Sequence, residues 1–193
     1  MVEIVVKMGG GLLAHADHFE AVVETIGAAA RERPLLVVPG GGPFADAVRA
    51  VDGRVHVSDA AAHWMAVLAM DQYAHLIADR LAGGTVVADR RAVAPALEAR
   101  QVPVLAPFQW MRKADPLPHS WDVTSDSIAA WIAGELAARK LVLVKPGGTH
   151  QPGDNGEDLV DAHFSTAIPI GVEVVILGAD ERGALCRALQ GPA

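Results

Sequence analysis

The chain twice runs a short apolar strand straight into three glycines, and that repetition constrains its fold more than any other feature. In EIVVKMGGGL, Glu3 to Leu12, the β-branched Ile4, Val5 and Val6 suit a strand buried on both faces, as in a parallel sheet. Lys7 follows, then Gly9, Gly10 and Gly11. Glycines at a strand end turn sharply and leave backbone N–H groups open to an oxyanion, and Lys7 adds a compact cation. Taken alone, the stretch reads equally well as a tight strand-to-helix turn beside a solvated lysine. Neither loop has the spacing G-x-x-x-x-G-K-[ST] or G-x-G-x-x-G. Leu35 to Val38, followed by Pro39, Gly40, Gly41 and Gly42, repeats the pattern. Two glycine loops at the ends of two parallel strands point to a bound phosphate rather than to turns alone.

The remaining segments alternate strand and helix. Asp17 reads as an N-cap with Glu20 three residues on, and Phe19, Val22, Val23 and Ile26 share one face of the helix it opens. The second loop leads into a short helix, Phe44–Ala50, with Val51–Val57 as a connection carrying Gly53. Ser58 caps a long, largely buried helix from Asp59 to Leu81, closed by Gly83 and Gly84. Thr85–Ala88 and Val102–Leu105 are strands with a helix between them around Val93–Arg100. Ala106–Val123, with three prolines and two tryptophans, reads as a long irregular loop on the substrate side. Thr124 and Ser125 open a helix whose buried face is Ile128, Trp131, Ile132 and Leu136. Leu141–Val144 is a strand ending in Lys145-Pro146-Gly147-Gly148, and a polar stretch, Thr149 to Asp158, follows. Val172–Leu177 and Glu181–Leu189 are the last strand and helix. The order predicts an α/β fold with a mainly parallel sheet and helices on both faces, in a single domain over residues 1–193.

Composition narrows the partners. The 16 basic and 23 acidic residues give a net charge of -7 with no Lys/Arg cluster, so nucleic acid is not an expected partner. One cysteine, Cys186, excludes an internal disulfide framework and the usual cysteine zinc patterns. No secretory signal pattern and no apolar run near the ~20 residues of a membrane span are visible, so a soluble cytoplasmic protein is expected.

In such a sheet ligands collect at the carboxyl ends of the strands, where Lys7, both glycine loops, Asp126 and Lys145 would lie. Phosphoryl transfer needs donors around the moving phosphoryl group and cations for its charge, which two lysines held by a carboxylate would supply. A helix N-terminal aspartate stabilised by the macrodipole is the plainer reading of Asp126.

In this order VVKMGGG, VVPGGGPFAD, TSDSIAA and LVLVKPGG resemble the amino-acid kinase superfamily, from Val2 to about Gly148. The resemblance implies that group's three-layer sandwich and an ATP-dependent phosphotransferase accompanied by Mg²⁺. It implies Lys7, Asp126 and Lys145 as catalytic residues, the lysines stabilising the transferring group and Asp126 orienting them. Nucleotide contacts would fall to Lys7, Gly9, Gly10, Gly11, Lys145, Gly147 and Gly148, and acceptor contacts to Gly40, Gly41 and Gly42. HWMAVLAMDQYAHLIA and LPHSWDVTSDSIAAW are most similar to the methanofuran-pathway branch. In that branch the acceptor is a phosphomonoester, (5-(aminomethyl)furan-3-yl)methyl phosphate, which becomes the diphosphate. Three departures stand out: Gly11 replaces a frequent serine, Pro-Gly-Gly follows Lys145 in place of an Asp-x-Asp-Gly turn, and the part after Lys145 is short.

Asp71, His119 and Asp122 are further candidate acceptor contacts, and Arg112 and Lys113 further cations for the phosphate edge. Trp110 and Trp121 read as packing residues that close the long loop, although a furan ring would stack well on either. His63 and His75, twelve apart, lack the i, i+4 spacing of a zinc pair, and no protein metal ligand is expected. A homo-oligomer is expected. A kinase of a carboxylate acceptor and a non-catalytic nucleotide- or oxyanion-binding protein remain the alternative readings.

Overall fold

In a computed structural model, which describes residues 1–147 and 159–190, the sheet is wholly parallel. Among the described residues its strands are β1 (Ile4–Met8), β2 (Leu35–Pro39), β3 (Gly84–Val87), β4 (Val102–Leu105), β5 (Lys140–Lys145) and β6 (Glu173–Gly178), in the order β3-β4-β2-β1-β5-β6. The helices are α1 (Ala16–Ala29), α2 (Gly42–Val55), α3 (Asp59–Arg80), α4 (Arg90–Glu98), α5 (Phe108–Ala114), α6 (Ser125–Glu135), α7 (Phe164–Ala167) and α8 (Arg182–Gln190). Gly148 and the polar stretch after it lie outside the described residues.

Side chains alternate across a strand, and here the alternation divides the core in two. Ile4, Val6, Met8, Leu35, Val37, Val142 and Val144 pack with α1, α8 and the second half of α3. Val5, Leu36, Val38, Leu141 and Leu143 pack on the other side with α4, α5, α6 and Phe164. Both faces are covered, which is why the central strands are apolar over Ile4–Val6 and Leu141–Val144, with Lys140 only at the start of β5.

Several boundaries differ from the expectation. Asp17 sits in the first turn of α1, and His15 holds the N-cap position in extended backbone without a side-chain cap. The helix after the second glycine loop does not stop at Ala50: α2 continues through Gly53 to Val55. An interior glycine costs only about 1 kcal/mol, and Asp52, one residue earlier, is tied to Trp121 by a 3.0 Å hydrogen bond from the indole N–H. The long loop contains α5, whose first turn is satisfied from outside, the Phe108 N–H donating to the Asp71 carboxylate at 3.0 Å. Ser58 caps α3 as expected, its hydroxyl accepting from the Ala61 N–H. Among the described residues no helix is long and apolar enough to cross a membrane.

Candidate active site

The period of two that divides the core also aims the two lysines. Lys7 follows Val5 on one face of β1, and Lys145 follows Leu141 and Leu143 on the same face of β5. β1 and β5 are neighbours with Lys7 paired to Leu143, so the lysines stand side by side at the carboxyl edge. α6 packs against that face and, preceding a strand parallel to the others, presents its N-terminus to the same edge. Asp126 in its first turn is thereby set between them. Its Oδ1 lies 2.8 Å from Lys7 Nζ and its Oδ2 accepts from Lys145 Nζ at 2.6 Å.

The triad is nearly dry. Lys7 and Asp126 are each 4% exposed, and Lys145 is only partly accessible. Burial works to raise the Asp126 pKa, but the charges of Lys7 and Lys145 and their hydrogen bonds outweigh it and hold the carboxyl below its ordinary value. Lys145 is pushed down, first by burial and next by the Lys7 charge, with Asp126 pulling the other way. The arrangement is two cations sharing one anion. Within the triad itself the net charge is positive, which favours an anionic ligand.

The glycine loops meet backbone to backbone. A Cβ on Gly10 would lie 2.1 Å from the Gly42 nitrogen, and one on Gly40 would lie 2.5 Å from the Gly10 nitrogen. Gly42 itself has φ +56°, which favours glycine. The Gly9 and Gly40 N–H groups donate within the sheet edge, to Val144 and Met8 carbonyls at 2.8 and 2.7 Å. Gly10, Gly11, Gly41 and Gly42 line a cavity of about 300 Å³. The sequence separates the first loop, for nucleotide, from the second, for acceptor; the fold brings both to one cavity. Gly147 sits against His18 and Asp180, away from that cavity's lining.

The other candidates are placed differently. Asp71 is occupied at the start of α5, and burial raises its pKa. His119 pairs with Asp115 at 2.7 Å and stacks on His63, their ring centres 4.5 Å apart. Asp122 offers its carbonyl to the His163 N–H at 3.2 Å. None of the three lines the cavity. Arg112 lies over the Trp64 ring, and Trp110 packs on Trp131.

Asp46, Arg49, Asp59 and Thr124, which the sequence reading did not assign to the site, line the cavity, as do His63, weighed above only as a zinc ligand, and Trp121, read above as packing. The Arg49 guanidinium pairs with Asp46 at 2.9 Å and lies over the Trp121 ring. Asp46 and Arg49 sit at i, i+3 in GPFADAVR, inside the helix expected over Phe44–Ala50, and that spacing was the signal that could have found them. Asp161 had no such signal, because the polar sequence before it carries no helical or strand period. Among the described residues no group of three or more His, Cys, Asp or Glu is arranged to hold a metal ion.

The chain is similar to several known proteins. Over 142 residues the chain is 28% identical to the [5-(aminomethyl)furan-3-yl]methyl phosphate kinase of Methanocaldococcus jannaschii, a match spanning 72% of this chain but 63% of that protein. The uridylate kinase of Archaeoglobus fulgidus superposes with TM-score 0.72 at 16% identity, over 100% of this chain and 97% of that one. The UMP kinase of Ureaplasma parvum does so with TM-score 0.66 at 16% identity, over 94% and 91%. These two likenesses concern the fold. Residues 3–146, the span that carries both glycine loops and all three members of the triad, match the sequence profile of the Amino acid kinase family, and the chain belongs to that family.

Proposed function

We propose that the protein is an ATP-dependent kinase that phosphorylates a phosphomonoester, (5-(aminomethyl)furan-3-yl)methyl phosphate, to its diphosphate in methanofuran-type cofactor biosynthesis. The observation that carries the reading is the buried Lys7–Asp126–Lys145 bridge; none of the three lines the cavity, but Ser125, the chain neighbour of Asp126, does, together with Gly10, Gly11, Gly41 and Gly42 of the two glycine loops. In the transfer an acceptor phosphate oxygen attacks the γ-phosphorus and ADP leaves, so negative charge gathers on the equatorial oxygens. Lys7 and Lys145 supply cations for that charge, and Asp126 holds both against their mutual repulsion. Because the seat is dry, each charge acts more strongly than it would in water. Mg²⁺ enters as a companion of the ATP phosphates and needs no dedicated protein cage.

The cavity wall supports an acceptor bearing both charges. Arg49 suits the existing phosphate, and Asp59 and Asp46 suit an ammonium. Both carboxylates are exposed, so their preference is modest, about fivefold to tenfold. The test compares kcat/KM for the aminomethylfuran phosphate and for isopentenyl phosphate under saturating Mg·ATP, with products identified by mass spectrometry. The aminated acceptor should be favoured, and Asp59→Asn should narrow the gap. Equal values, or a preference for the uncharged acceptor, would reject this acceptor and leave a phosphomonoester kinase.

A further inference from the structure

The helix that presents Asp126 does not cap itself. Thr124 occupies its N-cap position without a side-chain capping bond, and the first turn carries donors that need acceptors. They are met from beyond β5. The Thr124 N–H and hydroxyl donate to Asp161 Oδ2 at 2.9 and 2.8 Å, and the Ser127 N–H donates to the same oxygen at 3.0 Å. The Ser127 hydroxyl donates to Asp161 Oδ1. Thr124 and Ser127 bracket Asp126 in the chain, so one carboxylate fixes the backbone on both sides of it. Asp161 is itself held: the His163 N–H bonds to the Asp122 carbonyl, and Phe164, 5% exposed, packs in the same core as Ile128 and Ile132.

We propose that Asp161 is a positioning residue of the active site, pinning the first turn of α6 so that Asp126 bridges Lys7 and Lys145. Four hydrogen bonds to one side chain are more than a surface aspartate needs, and a cap supplied across the fold couples α6 to the segment after β5. The charges around Lys145 come from several elements. Lys7 on β1 opposes its protonation, Asp126 on α6 favours it, and Asp161 favours it as well. Asp180, between β6 and α8, lies beyond Gly147. Asp161 therefore acts on the triad through geometry and through charge.

The activity arm of the test rests on the kinase reading; the titration arm does not. The chain has four lysines, Lys7, Lys113, Lys140 and Lys145, so the Lys145 side chain can be followed by NMR across pH and assigned with Lys145→Arg. In Asp161→Asn, Lys145 should titrate at lower pH than in the wild type. kcat should fall on the order of 10- to 10²-fold, the cost of a small misplacement of a catalytic group, with KM for ATP and acceptor within about threefold. Asp161→Glu keeps the charge and moves the carboxylate by one methylene, so kcat should fall while the Lys145 titration stays near that of the wild type. Unchanged kcat in both folded variants overturns the proposal. So does failure of both to fold, which would make Asp161 a structural cap alone. If the wild type turns over no acceptor, the kinase reading fails separately. The Lys145 titration then decides: a downward shift in Asp161→Asn upholds the coupling and no shift rejects it.

Discussion

At the scale of single residues, the triad separates loss of chemistry from loss of fold. Lys7→Met keeps the buried volume and leaves Asp126 paired with Lys145, so the fold should survive. kcat should fall about 10²–10³-fold, the range for one electrostatic stabiliser, as measured by steady-state kinetics on a variant of near-normal melting temperature. Asp126→Asn is different, because it leaves two buried ammonium groups facing each other. Breaking a buried pair of this kind costs about 3 kcal/mol, which should lower Tm by roughly 6–12 °C for a chain of this size, in addition to abolishing turnover. On the proposed mechanism Lys145 sets the alkaline limit, since it would stabilise the transferring group only while protonated, and its pKa is pushed below the ordinary lysine value of 10.5, first by burial. The alkaline limb of kcat/KM should therefore fall below pH 10.5. In Lys145→Arg any remaining activity should lack that limb, since guanidinium stays charged. A limb unmoved by the substitution would assign it to another group.

At the scale of elements, the reading from sequence worked where period and punctuation agreed and failed where a partner elsewhere in the chain decided. β1, β2, β4 and β5 were legible because a strand buried on both faces has no polar interruption until its end. α3 was legible from Ser58 and its apolar crowding. α5 was hidden among prolines because the acceptor for its first N–H is Asp71, thirty-seven residues earlier. The same bond bears on the site: Asp71→Ala should cost about 1 kcal/mol, as loss of a helix cap does, by urea denaturation. It should leave the ratio of kcat/KM between aminated and uncharged acceptors unchanged, while a collapse of that ratio would return Asp71 to the acceptor. Lys7, Asp126 and Lys145 could be named from sequence because each stands at a strand end or in a first helical turn. Arg49 was not singled out and Trp121 was read as packing, because their meeting is a contact between α2 and a loop distant in the chain.

At the scale of the whole molecule, stability should depend on pH through two buried groups acting in separate windows. His63 is 6% exposed and its pKa is lowered to about 4, first by burial and next by His119, with Asp115 opposing. The unfolded chain binds this proton at 6.5 and the folded one does not, so stability is full above pH 6.5 and declines as pH falls toward 4. The loss over that interval should be roughly 2–3 kcal/mol. Asp126 acts lower: its contribution is present above 3.8 and is lost as pH falls through its depressed folded value. Urea midpoints compared at about pH 5 and about pH 7.5 isolate the histidine. His63→Phe, which retains an aromatic ring against His119, should flatten the difference. A slope unaffected by the substitution would place the proton uptake elsewhere.

The contact of the two glycine loops has a consequence for how this sequence can change over generations. Every single-nucleotide change that turns a glycine codon into that of another amino acid adds a Cβ, and at Gly10 that atom would fall inside the backbone of Gly42. The position is closed to drift by single steps. In a saturation library selected for folded protein, Gly10 should tolerate no substitution, whereas Gly53, with nothing within 4 Å of its Cβ position, should accept many. Recovery of Gly10→Ala as a stable variant would mean that the loops can part without cost. Otherwise the strand ends that carry Lys7 and the second loop must vary together or not at all, and descendants of this chain inherit the pair of loops as one heritable unit.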